Sequence, residues 1–293
     1  MAVVPVQEQA VEGRHGFLWD LLRNRNFTIG GTIFLSLLLF ALLGKLFVDP
    51  ELRRVGAFPP GQPPLQDTLM GTTSLGRSVA IQLTEAIPNS IMIGLIAATV
   101  GTTLGALIGF TAGYFGGRVD AVLRVLIDIF LAVPSLLFLI LIAALVRNVS
   151  VVTMALIIGA FAWPSPARQV RAQVLSLKER GFVEMARLSG MTGMEIVVRE
   201  LMPHMAQWLG ANFVNAFIAA VLAESGLSIL GLGPQRQMTL GMMIYWALSF
   251  SAIFQNFWWW WMAPVFTLMV LFLSLYLIHV GLDEVSNPRL RMQ

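Results

Sequence analysis

The chain has 293 residues, of which 57% are hydrophobic and 12% are charged, whereas an ordinary soluble domain carries about 25% charged residues. Its net charge is +3, and in so apolar a chain the basic excess favours the positive-inside bias of membrane proteins over nucleic-acid binding. The absence of cysteine excludes disulfides and thiolate chemistry, and the three histidines lack metal-ligand spacing. Composition therefore predicts an all-α polytopic membrane protein with no metal and no cofactor.

Apolar runs divide the chain into spans and loops. About 20 helical residues cross about 30 Å of hydrocarbon, and we predict six transmembrane helices at roughly 27–48, 86–113, 121–146, 150–168, 204–230 and 256–281. The domains are then an N-terminal segment (1–26), the first transmembrane helix (27–48), an outer loop (49–85), a five-helix core (86–282) with a connecting loop (169–203), and a tail (283–293). Four prolines prevent the outer loop from being a continuous helix.

Two apolar runs need separate interpretation. The first run is longer than the apolar part of a typical secretory signal and lacks a small-x-small cleavage pattern, so we expect it to be retained as a span. The run 238–254 is interrupted by polar and small residues, which indicates an interfacial or re-entrant segment rather than a seventh span.

The basic residues orient the chain. With the N-terminus inside, thirteen of the 19 Lys and Arg residues lie in cytoplasmic segments and six in outer ones. Because cytoplasmic loops carry the Lys and Arg excess, we expect both termini to be cytoplasmic.

Two patterns mark the second and third spans. Small residues at every fourth position of the second span predict a helix-packing face, although its partner could be this chain or another one: Ala97, Gly101, Gly105, Gly109 and Gly113. The third span begins with Asp120, Arg124 and Asp128 on one helical face, which favours structural charge pairing over a transport role. Pro134 predicts a kink in the same span.

The connecting loop 169–203 is unlike the rest of the chain. Ser176 and Glu179 have capping-box spacing, so we expect a short helix to begin there and to end near Gly190. Thr192 and Glu195 repeat that spacing and predict a second helix that stops before Pro203. We call residues 176–203 the elbow, and we interpret it as a contact surface for a cytoplasmic partner.

The elbow resembles the EAA loop of ABC importer permeases. The family pattern is Glu-Ala-Ala, three residues, Gly, nine residues, then Ile-x-Leu-Pro. The positions that match it are Glu184, Ala186, Gly190 and Pro203, and those that depart are Met185, Glu200 and Met202. The resemblance implies that the four matching residues couple the chain to an ATPase subunit, whose groove receives this loop.

The resemblance extends from about residue 70 to 233 and is to the dipeptide/oligopeptide/nickel branch, in the subunit type with an N-terminal span and a long outer loop. It rests on stretches such as Gly113-Tyr114-Phe115-Gly116-Gly117 and Ala223-Glu224-Ser225-Gly226-Leu227-Ser228. Where the family has acidic residues in the outer loop, this chain has Thr73 and Ser78. The resemblance implies a cytoplasmic-membrane permease with four kinds of partner: a second permease subunit in a heterodimer, two ATP-binding ATPase subunits, an extracytoplasmic substrate-binding protein and the lipid bilayer.

The sequence also bears on energy source and cargo. It contains no Gly-x-x-x-x-Gly-Lys-Ser/Thr loop, so ATP hydrolysis is expected in separate subunits. Trp258-Trp259-Trp260-Trp261 fits an interfacial aromatic belt better than a sugar platform. With residues 234–243, these tryptophans resemble oligosaccharide-transporting members, which leaves peptide and oligosaccharide cargo both open. Glu224 could contact a cationic group in the translocation path, although a polar bond between helices fits better.

Two other function classes are disfavoured. An ion-coupled secondary transporter, the main alternative, usually has internal repeats and interrupted helices around midplane polar groups. The sequence shows no convincing repeat and too few mid-span ionisable residues. An intramembrane enzyme would need a nucleophile with a base or a metal motif such as His-Glu-x-x-His. The sequence has no such pattern, so we expect a permease subunit that is not an enzyme.

Overall fold

The computed structural model describes residues 15–146 and 148–286. The remaining parts of the predicted N-terminal segment (1–14) and tail (287–293) lie outside these residues. The described chain is built of helices, with one isolated β-bridge between Thr72 and Ser78. In order, the helices are α1 His15–Arg23, α2 Arg25–Phe47, α3 Val79–Phe115, α4 Gly117–Ala132, α5 Ser135–Leu145, α6 Val151–Ala162, α7 Pro164–Leu177, α8 Gly181–Leu188, α9 Gly193–Ile196, α10 Met202–Ile229, α11 Leu240–Ser249 and α12 Trp258–Ser286. A 3₁₀ turn (Pro50–Arg53) follows α2, and a π-helical turn (Val197–Leu201) joins α9 to α10.

The predicted all-helical class with six spans is confirmed once a broken helix is counted as one crossing. Five stretches are long and apolar enough to cross a bilayer: Arg25–Phe47, Val79–Phe115, Val151–Leu177, Gly193–Ile229 and Trp258–Val285. The sixth crossing is the pair α4 and α5, which meet at an angle of 77°. The predicted third span is therefore broken rather than continuous. The break falls at Val133 and Pro134, because a proline disfavours helical backbone in the residue before it and Val133 is extended.

Two helical segments are longer in the structure than the spans predicted from the sequence. Helix α3 begins at Val79 and has 37 residues, so it is about 55 Å long and exceeds the hydrocarbon thickness. Helical structure also continues through α7 to Leu177, nine residues past the predicted end at 168. The predicted capping box at Ser176 is wrong for that reason: Ser176 lies in the last turn of α7, and α8 begins at Gly181. Val170 and Val174 of α7 are buried in a core cluster. This packing stabilises α7 past Ser176, where the local sequence alone favours the start of a new helix.

Helix α3 is the centre of the bundle and packs against α2, α6, α7 and α10. Helix α2 also packs closely on α12, since a Cβ added at Gly30 would lie 2.6 Å from the backbone oxygen of Ser274. At the end of this contact, Asn24 Nδ2 and Asn26 Nδ2 donate to the two carboxylate oxygens of Glu284 at 2.7 and 2.8 Å. The N-terminal part of the first span is thus joined to the last one.

The loop between α2 and α3 is folded onto the start of α12. Trp259 Nε1 donates to the backbone oxygen of Thr72 at 3.0 Å, and a Cβ at Gly71 would collide with the Trp259 ring at 2.6 Å. Only 9% of Trp259 and 1% of Trp260 is exposed. The interpretation of all four tryptophans as an interfacial belt is therefore wrong for these two, which belong to the core.

Helix α11 forms the predicted non-spanning segment. It has ten residues, which reach about 15 Å and cannot cross a bilayer. It packs against α3, α10 and α12, and its first residues are buried between them.

Candidate functional site

A cleft of about 450 Å³ opens between the α4–α5 bend, the α6–α7 junction and one face of α10. We call it the polar cleft. Its polar lining residues are Ser135, Ser165, Gln169, Asn212 and Asn215. Its other lining residues are apolar, and no lining residue is charged.

Prolines and alanines create this space. Pro134 turns α5 away from α4, and Pro164 and Pro166 lie in the first turn of α7 on the opposite wall. On α10, small side chains at Ala216, Ala219, Ala220 and Ala223 leave the cleft open beyond the asparagines. The result is a groove between helices of the bundle that offers amide and hydroxyl groups.

Sequence reasoning missed Asn212, Asn215 and Gln169. For Asn212 and Asn215 the available signal was their chemistry, because amide side chains in an apolar helix usually face other helices of the bundle; Gln169 lay in the predicted connecting loop. Asn212 and Asn215 are three residues apart and so share one helical face. On the other wall, Gln169 Nε2 donates to Ser165 Oγ one turn earlier in α7, at 3.1 Å.

The glycine line of α3 packs within this chain. A Cβ added at Gly101, Gly105, Gly109 or Gly113 would lie 2.6–2.8 Å from the nearest atom of α6 or α7. The opposing residues also recur at every fourth position: Ala162, Pro166, Val170 and Val174. The glycine line therefore lets α3 approach α6 and α7 closely. This settles the partner of the glycine line, which the sequence had left open between this chain and another one.

Backbone hydrogen bonds hold the elbow in its bent shape. Gly190 has a φ of +81°, its N–H donates to Arg187 O at 3.0 Å, and the N–H of Met191 donates to Ala186 O at 3.2 Å. This pair is a Schellman motif, which closes α8 with glycine in the left-handed region. The capping box predicted at Thr192 is present: the Thr192 N–H donates to Glu195 Oε2 at 2.9 Å, and the Glu195 N–H to Thr192 Oγ1 at 3.4 Å.

The four elbow residues singled out in the sequence differ in exposure. Glu184, Gly190 and Pro203 are exposed, and Ala186 is buried. Space around Gly190 is open, since an added Cβ would meet no atom within 4 Å. Ala186 packs in a cluster that includes Phe110 of α3, Leu201 of the π-helical turn and Met205 of α10. One face of the elbow is thus available to a partner while the other is fixed to the bundle.

Large apolar side chains are exposed on the same elbow. Met185, Leu188 and Met194 are 69%, 82% and 60% exposed. Neighbouring exposed apolar groups are typical of protein interaction surfaces.

Glu224 is fully buried and does not line the polar cleft. Its Oε1 accepts hydrogen bonds from Ser228 Oγ at 2.7 Å and from Thr239 Oγ1 at 2.6 Å. Thr239 is the N-cap of α11 and also accepts from the Met242 N–H at 3.1 Å. Glu224 therefore joins α10 to the start of α11 through a polar contact between helices.

The charges of the third span form one pair between helices and one pair within α4. Arg171 of α7 binds both carboxylate oxygens of Asp120, with Nη2 to Oδ2 at 2.6 Å. Arg124 and Asp128 form an i,i+4 pair at 3.7 Å. Within 15–146 and 148–286, no group of three or more His, Asp or Glu side chains is arranged to hold a metal ion.

The bundle defines a polytopic membrane protein with an internal polar groove, and comparison with known proteins gives its family. Residues 90–292 match the family described as binding-protein-dependent transport system inner membrane component. The chain belongs to this family and is a multi-pass protein of the cell membrane.

Three relatives illustrate the range of similarity. The oligopeptide transport system permease protein OppC of Mycobacterium tuberculosis is 31% identical over 185 residues, which cover 62% of this chain and 64% of that protein. A putative peptide transport system permease protein of Brucella abortus is 32% identical over 275 residues, 93% of this chain and 91% of that protein. The dipeptide transport system permease protein DppC of Bacillus subtilis is 28% identical over 276 residues, covering 93% and 85%. The match to OppC thus spans less than two thirds of that relative's length.

Proposed function

We propose that this chain is the permease subunit of an ATP-driven, binding-protein-dependent importer of peptides, and that cargo passes along the polar cleft. The observation that carries the proposal is a cleft of about 450 Å³ between the helices whose polar lining consists of amides and hydroxyls alone. These groups can exchange hydrogen bonds with the N–H and C=O groups of any peptide backbone without selecting side-chain charge. Relatives named oligopeptide and dipeptide permeases support peptides as the cargo class.

In this proposal the elbow receives the motion of partner ATPases. Glu184, Ala186, Gly190 and Pro203 form the coupling surface, and the exposed apolar side chains beside them support a docking role. The buried face of the elbow packs with Leu201 and Met205, and about two helical turns separate Met205 from the cleft residue Asn212. A displacement of the elbow by the ATPases would therefore move α10. This movement would open the cleft to one side of the membrane and close it to the other.

The proposal includes four other subunits. Two ATPases supply the energy because the sequence contains no P-loop pattern. A second permease subunit, in a heterodimer, completes the path, and an extracytoplasmic binding protein delivers the cargo. The family description supports the binding protein. The remaining subunits follow from the resemblance of the elbow and from the relatives.

Two observations favour peptides over oligosaccharides and over an ion-coupled mechanism. Trp259 and Trp260 are buried and stack on Phe257 and Phe250 with ring centroids 5.4 and 6.0 Å apart, which leaves neither indole free to stack on a sugar. No charged residue lines the cleft, whereas ion-coupled paths are usually built around ionisable or ion-binding groups.

Uptake in proteoliposomes tests the function. The chain would be reconstituted with the second permease, the ATPases and the binding protein encoded beside it, and uptake of labelled trialanine would be followed with active and with inactive ATPases. We expect uptake only with active ATPases. Undiminished uptake with inactive ATPases would overturn the ATP-driven mechanism.

A pair of glycine variants tests the elbow. Gly190 and Gly56 both have positive φ, at +81° and +79°, and both have open space around them, but they lie at opposite ends of α3. We expect Gly190→Arg to lose co-purification of the ATPases in detergent and Gly56→Arg to keep it. Equal retention by both variants would argue against the elbow as the docking surface.

A further inference from the structure

A second cavity, of about 290 Å³, lies where the loop between α2 and α3 meets α3, α11 and α12. We call it the loop cavity. It lies near the N-terminal end of α3, whereas the elbow contacts the other end, where a Cβ at Gly193 would meet the Tyr114 ring at 2.9 Å. It shares no lining residue with the polar cleft.

The charges of the loop cavity are unbalanced. Arg77, Arg236 and Glu85 line it, so that two cations face one carboxylate. Glu85 is also shared with a third cation: its Oε1 is 3.5 Å from Arg53 Nη1, and its Oε2 is 3.8 Å from Arg77 Nη2. Both distances exceed those of a direct hydrogen bond. Arg236 is exposed, and no ion pair to it is found in the described part of the chain.

The same region contains hydrogen-bond donors that lack acceptors. Arg77 Nε and Trp260 Nε1 are buried, and no acceptor among residues 15–146 and 148–286 reaches either one. Across those residues, every buried side-chain nitrogen without a partner is in this neighbourhood, the third being Arg53 Nε. A buried donor without a partner costs about 1–3 kcal/mol, so the loop cavity is chemically suited to an added acceptor.

An oxyanion satisfies both observations. It adds the missing negative charge and offers several acceptor lone pairs to guanidinium and indole N–H groups. The volume of about 290 Å³ is several times the roughly 30 Å³ that one molecule occupies in liquid water. The cavity therefore has room for a carboxylate side chain. At the rim, Val55, Gln235 and Arg236 are exposed, which leaves an entry from the outside of the protein.

We propose that the loop cavity is a docking pocket for an Asp or Glu side chain of the extracytoplasmic binding protein, whose carboxylate contacts Arg77, Arg236 and Trp260. This inference rests on the proposed function and on the predicted orientation, which puts the loop between α2 and α3 outside the cell. The binding protein is favoured over transported cargo because the pocket shares no lining residue with the polar cleft and its rim residue Arg236 is exposed.

Binding measurements on the complete importer in nanodiscs test the pocket. The probe is the purified binding protein encoded beside the permease, and its Kd is measured for wild type, Arg236→Glu and Trp260→Phe. Arg236 is exposed, and its side chain makes no hydrogen bond or ion pair among the described residues. Trp260→Phe keeps a six-membered aromatic ring and removes the indole N–H. The matched control is Arg54→Glu, since Arg54 is 73% exposed, pairs with Glu51, and lies outside the cavity.

We expect Arg236→Glu to raise the Kd at least about tenfold, because a reversed rim charge repels the carboxylate. Trp260→Phe should raise it by a smaller factor, and Arg54→Glu should leave it unchanged. Wild-type binding should weaken with added NaCl, because salt screens exposed charges. Unchanged affinity in Arg236→Glu and Trp260→Phe, with ATP-dependent uptake intact, would overturn the docking pocket and leave the proposed function standing.

A second measurement distinguishes a docking pocket from a cargo site. Uptake of trialanine is compared with uptake of its C-terminal amide in the same variants. If the variants raise the KM for the free acid alone and leave binding-protein affinity unchanged, the cavity holds a cargo carboxylate and the docking proposal is wrong. If the binding protein fails to bind the wild-type importer, both the docking pocket and the proposed function fail.

Discussion

Replacing Gly109 by alanine should force α3 and α7 apart. The added Cβ would lie 2.6 Å from Val170 Cβ and 2.7 Å from the backbone oxygen of Ala167, whereas carbon atoms pack at about 3.5–4.0 Å. Relief therefore requires a separation of about 1 Å, and a gap of that size forfeits a quarter to a half of each affected dispersion contact. Because one of the colliding atoms belongs to the α7 backbone, no side-chain rotation can remove the clash.

The expected loss of stability follows from this geometry. Overpacking of this kind costs about 1–3 kcal/mol, and in a membrane no hydrophobic driving force between helices offsets lost packing. At about 3 °C per kcal/mol, the detergent-solubilised protein should melt roughly 3–9 °C lower. Thermal stability would be measured by size-exclusion chromatography after heating.

Gly226→Ala provides the matched control. Gly226 lies inside α10, and a Cβ there would meet no atom within 4 Å. It should leave the melting temperature unchanged or raise it, since Gly→Ala in a helix gains about 0.5–1 kcal/mol. If Gly109→Ala melted together with the wild type and with Gly226→Ala, close packing along the glycine line could not be what stabilises the α3–α7 contact.

Three further predictions concern other contacts. Arg171→Gln should destabilise the protein by up to about 3 kcal/mol because Asp120 loses its partner, and adding Asp120→Asn should restore part of the melting temperature. Thr239→Val should cost at least about 1 kcal/mol, because it removes the α11 N-cap and also a hydrogen-bond donor to buried Glu224. Melting would again be measured, and a loss no larger than for an exposed Thr→Val change would contradict it. Asn212→Leu should slow trialanine uptake in proteoliposomes while ATPase co-purification stays intact, and normal uptake would remove this residue from the cargo path.

The sequence predicted a structural feature correctly where the residues that determine it lie close together in the chain. The helical class and the spans follow from apolar runs, because a helix satisfies its own backbone in lipid. The capping box at Thr192 involves residues three apart, and the left-handed end of α8 needs only glycine at position 190. The family resemblance of the elbow also rested on such short-range patterns.

Local signals failed where tertiary packing outweighed them. The capping-box spacing at Ser176 was overridden because Val170 and Val174 are packed in the core and α7 continues to Leu177. The preference of tryptophan for the membrane interface suggested an aromatic belt. The loop between α2 and α3 instead folds over Trp259 and buries it. In both cases the deciding contact joins residues far apart in sequence.

The sequence by itself determined the membrane class, the number of apolar crossings, the glycine end of α8 and the capping box at Thr192, because each depends on composition or on spacing within a few turns. Only the tertiary structure decided that the glycine line of α3 meets α6 and α7 of the same chain. It also brought Gln169 and Asn212 to one cleft and gave Asp120 its partner Arg171 on another helix. The physical reason is that periodicity identifies which face of a helix is packed or polar, whereas the partner of that face depends on how distant helices are arranged in the bundle.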